Sequence, residues 1–224
     1  MHHYKLKQDP LSSHQQIAKL VRQMKRGPVL DVGSAQGMLG QLLQGSNLQL
    51  DGVEPNPEWA AAAKPLYRQM YEGTVESANL PKNHYKVIVC ADVLEHTLNP
   101  TCVLKQLRSC GTKDAVFVVS LPNVAHIAVR LLLLCGQFPK MKRGLLDRTH
   151  LHFFTRETAV QMLRDAGLKV TRRQATVAPL SLVWPRGDGT LPFQALWHMQ
   201  HWATKVWPNL FAYQWILVAE AVRE

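Results

Sequence analysis

The sequence predicts an α/β fold: a doubly wound, mostly parallel sheet of seven strands, with helices on both faces and an antiparallel C-terminal edge strand. Three observations predict it. Apolar, strand-like runs alternate with stretches whose apolar residues recur at helical spacing, as in βαβ units. A loop with two glycines joins the first of these strands directly to a helix. Two late strand-like segments are separated by a long insertion, which suits an antiparallel pair at one sheet edge.

The elements can be placed in order along the chain. Ile17, Leu20, Val21 and Met24 recur at helical spacing and indicate a first helix. Strands are predicted at residues 29–32, 48–53, 69–71, 85–90, 115–120, 168–177 and 211–222. The other helices are predicted at residues 38–44, 57–67, 100–110, 124–135 and 156–166, with a tryptophan-rich, partly helical segment at 184–207. Thr155 is a good N-cap for the helix that follows it.

Length and composition favour one domain, covering residues 1–224. Within it we expect an N-terminal helix in residues 1–27 and two substrate or lid insertions, at 121–155 and 184–210. Residues 1–10 lack the apolar region of a signal peptide. The longest apolar run is too short and too interrupted by His126 and Arg130 to span a bilayer. The four cysteines have neither CxxC nor metal-ligand spacing, which predicts reduced thiols in a cytoplasmic protein, with Cys90 in the core.

The formal net charge is +10, which is compatible with nucleic acid, an anionic membrane surface or an anionic substrate. The positive charges are spread over residues 19–26, 140–148 and 164–173, and none of these blocks has the interleaved aromatic residues of a single-strand stacking platform. Lys142, Arg143 and Arg148 could hold an anionic acceptor, or they could be ordinary solvated charges. Charge by itself names no partner.

Acidic or polar residues fall at the ends of successive predicted strands. Asp31 is followed by the Gly33–Gly37 loop, and Glu54 follows about twenty residues later, where an acid can accept both hydroxyls of a ribose. A carboxylate at Asp31 would repel a pyrophosphate, and it would favour a ligand that carries an ammonium or sulfonium charge. The pattern therefore favours a nucleoside cofactor of that kind. The alternative for Asp31 is a loop cap that binds backbone amides.

The ordered motifs of residues 31–37, 73–81 and 92–96, together with Glu54, resemble those of the Rossmann-like S-adenosylmethionine-dependent methyltransferases. Residues 150–155 and 210–214 resemble small-molecule methyltransferases of the ubiquinone-biosynthesis O-methyltransferase type. This resemblance covers about residues 29–177. It implies S-adenosylmethionine as cofactor, S-adenosylhomocysteine as product and a small-molecule acceptor. It also implies a cofactor site at Asp31, Gly33, Ser34, Ala35, Gly37, Glu54, Pro55, Thr74, Val75, Glu76, Ala91, Asp92 and Val93.

The resemblance assigns roles within this set. Asp31 would orient the methionine amino group, the loop glycines would let the backbone approach it, and Glu54 would hold the ribose. Residues 74–76 would contact the adenine edge, and residues 91–93 would form the floor of the pocket. The sequence departs from the family pattern at Ala35, where glycine is usual, and at Thr74, where an acid is common. Adenine recognition then falls to the Val75 backbone or to Glu76.

Methyl transfer to a hydroxyl requires a base, because the hydroxyl must lose its proton. The candidates are His96, His126, His150 and His152, of which His126 is more plausibly structural. His150 and His152 alternate, so only one of them should face inward if the segment is extended. We predict His150 and His96 as the catalytic residues. Asp92, Glu95 and His96 resemble a metal-binding pattern of the ubiquinone-pathway relatives, but a helix start is the preferred interpretation, so no metal is predicted.

The predicted function is O-methylation of a quinone-like, lipid-linked or sugar acceptor. The alternatives are a non-catalytic S-adenosylmethionine-binding module and an RNA methyltransferase. Nucleic acid is disfavoured as a partner, since the Asp/Asn/Ser-Pro-Pro-aromatic motif of exocyclic-amine methyltransferases is missing at residues 91–94. The tryptophans at 184, 197, 202 and 207 could contact a membrane interface, although a lid or homodimer surface is the preferred interpretation.

Overall fold

Seven strands form one sheet in the computed structural model, which describes residues 12–179 and 190–222. In chain order they are β1 (Val29–Val32), β2 (Leu50–Glu54), β3 (Gln69–Glu72), β4 (Tyr85–Ala91), β5 (Gly111–Pro122), β6 (Leu168–Ala175) and β7 (Gln214–Ala221). Their order across the sheet is β3-β2-β1-β4-β5-β7-β6. The first five strands pair in parallel, and β7 is antiparallel to both of its neighbours. The predicted fold class is confirmed, with β6 outermost in the antiparallel pair and β7 inserted beside β5.

The helices cover both faces of this sheet. They are α1 (Ser13–Met24), α2 (Met38–Leu43), α3 (Pro57–Ala63), α4 (Pro100–Cys110), α5 (Ile127–Leu134), α6 (Arg156–Asp165), α7 (Leu191–Val206) and α8 (Pro208–Phe211). Alternate residues of β4 point to opposite faces, as the strand period requires. Ile88 and Cys90 pack in one core with α4 and α6, whereas Val87 and Val89 pack in the other with α1, α2 and α3.

Local signals explain several element boundaries. Thr155 caps α6 through a reciprocal pair of hydrogen bonds with Thr158, as its N-cap prediction requires. The helix predicted at 57–67 ends at Ala63 and continues as a 3₁₀ turn at Lys64–Leu66, because Pro65 has no N–H to donate. The helix predicted at 124–135 begins only at Ile127, because the His126 side chain caps it by accepting a hydrogen bond from the Ala128 N–H.

The strand order places a crevice at the carboxyl ends of β1 and β4. The chain proceeds outward from β1 to β2 and β3, and then returns to add β4 on the other side of β1. At such a reversal, the connections leave in opposite directions and leave room for a ligand. Among the described residues, no helix is both long and apolar enough to span a bilayer. Cys90 is buried in the core as predicted, and its burial raises the pKa of its thiol. Trp184 and residues 1–11 lie outside the described residues.

Candidate functional site

The loop after β1 folds tightly against its neighbours. Gly33 and Gly37 have φ angles of +68° and +81°, which L side chains rarely adopt. A Cβ atom on Gly33 would lie 2.5 Å from Cγ2 of Val93, so the close approach also requires a missing side chain. Ala35, at the position where the family usually has glycine, has a φ of +46°. This loop therefore needs left-handed backbone at three positions and pays a strain cost at Ala35.

Asp31 lies at the end of β1 and is almost completely buried. Its Oδ2 accepts a hydrogen bond of 2.6 Å from the Tyr67 hydroxyl, which itself accepts one from the Gly40 N–H. Burial raises the pKa of Asp31 to about 7; the Tyr67 hydrogen bond opposes that rise, and the nearby charge of Glu54 adds to it. A cation next to Asp31 would favour its ionised form. The sequence does not predict Tyr67 as a site residue, since it lies 36 positions beyond Asp31 along the chain.

The Glu54 carboxylate is buried at the end of β2 and is fixed by two backbone amides. Its Oε2 accepts a hydrogen bond of 2.8 Å from the Ala35 N–H, and its Oε1 accepts one of 2.9 Å from the Asn56 N–H. Because each carboxylate oxygen can accept more than one hydrogen bond, this carboxylate can still accept from a ribose. Ser34 is also buried, and Pro55 is exposed.

The predicted adenine segment follows β3. The Thr74 N–H donates to Ser77 Oγ at 3.0 Å, which fixes the turn. The Val75 side chain packs in the core, and its carbonyl accepts a hydrogen bond of 2.8 Å from Gln106. Thr74 and Glu76 are exposed. The structure thus positions the Val75 backbone firmly and leaves its two neighbours accessible.

Asp92, directly after β4, accepts hydrogen bonds from side chains on two other strands, and the sequence does not predict these contacts. Its Oδ1 accepts a hydrogen bond of 2.6 Å from Ser120 on β5, and its Oδ2 accepts one of 2.8 Å from Gln214 on β7. These bonds fix a residue whose φ of +56° is unusual for aspartate. Ala91 and Val93 on either side are half-buried. The Asp92 carboxylate thus joins the neighbouring strands β4, β5 and β7 at the crevice.

Glu95, His96 and His150 form a cluster next to this crevice. Each offers one donor atom, and the three donor atoms all lie within 4.8 Å of one another. The Glu95 carboxylate is buried, and neither of its oxygens has a hydrogen-bond partner in the part of the chain that the structure describes. Burial, followed by the charges of Asp92 and Asp147, raises the pKa of Glu95 well above its ordinary value.

The two predicted catalytic histidines lie side by side. The rings of His96 and His150 are 4.9 Å apart between centroids, and His96 Nδ1 lies 3.2 Å from the Thr149 carbonyl. Burial and the neighbouring His96 lower the pKa of His150, partly against the opposing charge of Asp147. His152 is directed elsewhere, to the Leu98 carbonyl at 3.2 Å. The two imidazoles of residues 150 and 152 thus contact different groups.

The cluster has the donor set of a divalent metal site. One carboxylate and two imidazoles suit zinc or another first-row cation, and a buried carboxylate without a partner is costly unless a cation or a proton satisfies it. Asp92, which the sequence pattern places in such a site, is engaged by Ser120 and Gln214 instead. The expectation of no metal stays a prediction, and His150 is a donor that the sequence pattern did not include.

Comparisons with known proteins agree with this architecture. A family model described as a methyltransferase domain matches residues 4–173. A ubiquinone biosynthesis O-methyltransferase of Bradyrhizobium diazoefficiens is 26% identical over 165 residues, which are 70% of this chain and 64% of that protein. The chain thus matches less than two thirds of the length of that relative.

Solved structures share the fold at low sequence identity. The YcgJ protein of Bacillus subtilis superposes with a TM-score of 0.63 at 16% identity, covering 94% of this chain and all of that one. Magnesium protoporphyrin IX methyltransferase from Synechocystis PCC 6803, solved with bound SAH, gives a TM-score of 0.62 at 16% identity, covering 93% and 84% of the two chains.

Proposed function

This chain belongs to the methyltransferase-domain family of S-adenosylmethionine-dependent enzymes, and from that premise we propose that it methylates a hydroxyl of a small-molecule acceptor. S-adenosylmethionine is the methyl donor and S-adenosylhomocysteine the product. The acceptor that we propose is quinone-like, lipid-linked or a sugar. The observation that carries this proposal is the contact of His150 with His96, and His96 itself lies five residues beyond the end of β4. The distant O-methyltransferase relative supports the preference for a hydroxyl.

Glu54 is the residue that we propose for the ribose hydroxyls. Its support is the pair of backbone N–H groups from Ala35 and Asn56, which fix the carboxylate before any ligand arrives. A fixed acceptor loses little entropy when it binds the two hydroxyls, and an ionised acceptor makes stronger hydrogen bonds. The same bond to Ala35 couples the ribose contact to the glycine loop.

Asp31 is proposed to pair with the ammonium of the methionine moiety, close to Gly33 and Gly37 in the loop. Its burial supports this role, because a carboxylate in a low-dielectric site interacts strongly with a neighbouring cation, which favours its ionised form. Ser34 and Pro55 would complete the rim of this part of the site. Residues 74–76 are proposed for the adenine edge, with Asp92 fixing residues 91–93 as the pocket floor.

His150 is proposed as the base that takes the acceptor proton. Its lowered pKa supports this, since a neutral imidazole is the form that can accept a proton at neutral pH. The acceptor oxygen then forms a bond to the methyl carbon, and the bond from that carbon to sulfur breaks with its electron pair left on the sulfur. His96 would help to orient the His150 ring through their contact.

A divalent cation is the alternative means of activating the acceptor at the same place. Glu95, His96 and His150 would hold it, and when bound it would supply Lewis-acid polarisation of the acceptor hydroxyl. In that case His150 acts as a ligand, and removing Glu95 should be as damaging as removing His150. The segments at 121–155 and 184–210 are proposed to cover the acceptor, the second of them only partly within the described residues.

The proposal is tested by methyl transfer from labelled S-adenosylmethionine to a panel of catechols, hydroxybenzoates and sugars. His150→Gln should lower kcat by roughly 100-fold or more without weakening cofactor binding. His152→Gln is the matched control, since it removes an imidazole of the same loop that is bonded to the Leu98 carbonyl. Its kcat should stay within a few-fold of the unmodified protein.

Two further measurements distinguish a role of His150 as the base from a role as a metal ligand. Loss of activity in EDTA, restored by added zinc or manganese, together with an equal loss in Glu95→Gln, would assign His150 as a ligand. Activity that is insensitive to EDTA, with an acidic limb of the kcat profile that disappears in His150→Gln, would assign it as the base. Cofactor binding with no turnover on any acceptor would instead favour the non-catalytic module.

A further inference from the structure

Residues 130–143 form an exposed segment at the rim of the candidate site, and the proposed methyl transfer does not use its outward side chains. We call it the rim segment. It begins in the middle of α5 and continues through the loop that follows. Leu131, Leu133 and Leu134 are 54%, 52% and 83% exposed, and Phe138 and Met141 are exposed as well. Five large apolar side chains within eleven consecutive positions meet solvent here.

The rim segment is anchored from inside, so its outward face is a defined surface. Val129 and Leu132 on the inner side of α5 pack with Leu145 and Leu146. The loop is tied to the same region, since the Met141 N–H donates to the Leu146 carbonyl at 2.8 Å. The exposure of the outer leucines therefore follows from the amphipathic placement of α5.

The charge of the rim segment has one sign. It carries four cations and no aspartate or glutamate; the next acid along the chain, Asp147, lies opposite Met141 and accepts hydrogen bonds from Thr149. The four are Arg130, Lys140, Lys142 and Arg143. Exposed leucines and a phenylalanine flanked by lysine and arginine are the composition of elements that lie in the headgroup region of an anionic bilayer.

We propose that the rim segment docks this protein on the surface of a phospholipid bilayer that contains anionic lipids. The bilayer is the occupant that satisfies both features, because its headgroups pair with the cations and its acyl boundary accepts the apolar side chains. An isologous contact with a second copy would bring Arg130, Lys140 and Lys142 against their own equivalents, and the rim segment itself contains no acid that could offset this repulsion. A nucleic acid would pair with the cations and leave the leucines in water.

The rim segment lies close to the proposed acceptor site, so docking affects where that site opens. The Phe138 ring contacts that of Phe153 at 5.2 Å between centroids, and Phe153 lies 6.1 Å from the ring of His150. Docking would therefore place the entrance of the acceptor site at the membrane surface. Resting on the proposed function, this inference selects the lipid-linked or quinone-like acceptors, which partition into the bilayer, over free sugars.

Flotation of the purified full-length chain with phosphatidylcholine vesicles, with and without phosphatidylglycerol, tests the proposal. The protein should float with the anionic vesicles and much less with the neutral ones. Lys140→Gln combined with Lys142→Gln should lower the partition coefficient about 30-fold, from about 1 kcal/mol for each cation removed. Leu133→Ser combined with Leu134→Ser should reduce binding to both kinds of vesicle by a similar factor.

Two controls make the result specific to this surface. Lys82→Gln combined with Lys86→Gln removes two exposed cations near the start of β4, at the opposite end of the strands, and should leave flotation unchanged. Trp202→Ser combined with Trp207→Ser removes two exposed tryptophans that would bind if the tryptophan-rich segment were the membrane contact. Loss of flotation only in that variant would overturn the assignment to the rim segment.

Calorimetric titration of each variant with S-adenosylmethionine separates this inference from the proposed function. Normal cofactor binding without flotation of the unmodified protein contradicts the docking surface alone. Failure of the unmodified protein to bind the cofactor contradicts the proposed function, whatever the vesicles show.

Discussion

The buried carboxyl of Asp31 should make the stability of this protein fall as the pH rises. In the folded state its pKa is raised from 3.8 to about 7, chiefly by burial. The folded protein therefore holds a proton that the unfolded chain releases between these two values, and stability is lost as the pH rises through that window. Asp31→Asn keeps an oxygen that can accept from Tyr67 and removes the titration.

The magnitude follows from the size of the pKa shift. At about 1.4 kcal/mol for each pKa unit, the full shift corresponds to about 4 kcal/mol. Since part of it is expressed below pH 5, the unmodified protein should lose about 3 kcal/mol of unfolding free energy from this group between about pH 5 and about pH 8. Asp31→Asn should lose none of it, whatever its stability at one fixed pH.

Urea denaturation followed by circular dichroism, at several pH values across this window, measures the difference. Titration of other groups such as Glu95 is common to both proteins and cancels in the comparison. Glu58→Gln, which removes an exposed carboxyl in the first turn of α3, is the control and should follow the unmodified protein. Parallel pH profiles for Asp31→Asn and the unmodified protein would refute the assignment of a raised pKa to Asp31.

Two other predictions concern Asp31 and the Gly33–Gly37 loop that follows it. Ala35→Gly should stabilise the protein by about 1 kcal/mol in thermal or urea unfolding, because glycine adopts the φ of +46° at this position without strain. The control is Ala61→Gly, in the exposed interior of α3, which should destabilise the protein by about 1 kcal/mol. Destabilisation by both substitutions would contradict backbone strain at Ala35. S-adenosylmethionine binding at about pH 7 should release roughly half a proton, because a cation beside Asp31 ionises the protonated fraction of its carboxyl. Calorimetry in buffers of different ionisation enthalpy measures this proton release. An equal release from Asp31→Asn would contradict the pairing of Asp31 with the cofactor ammonium.

The parts of the fold that sequence predicts well are those with local causes. Val29–Val32 is a short apolar run between a proline and a glycine, and its bounds agree with the observed strand. Thr155 carries its capping signal within three residues of itself. In contrast, β7 lies between β5 and β6 because of pairings made across the whole C-terminal third, and no local pattern encodes that order.

The candidate site shows the same division. Position along the chain is enough to identify Asp31 and Glu54 as candidates, since each lies at the carboxyl end of an apolar strand. The Tyr67 bond to Asp31 and the contact of His150 with His96 join residues 36 and 54 positions apart, so only the folded chain brings them together. The Glu95 carboxylate, which has no hydrogen-bond partner among the described residues, is equally invisible in the sequence, because its burial exists only in the folded chain, where Leu151 and His152 donate their backbone N–H groups to the Glu95 carbonyl.

Cofactor binding by Glu54 is the most direct measurement of the central claim. Isothermal titration with S-adenosylmethionine and S-adenosylhomocysteine should give micromolar binding to the unmodified protein. Glu54→Gln should weaken it by roughly 100-fold, from two charge-assisted hydrogen bonds of about 1.5 kcal/mol each or more. Glu72→Gln, which changes the exposed register partner of Glu54 on β3, should bind normally. Full affinity in a folded Glu54→Gln variant, or no binding by the folded unmodified protein, would contradict the account.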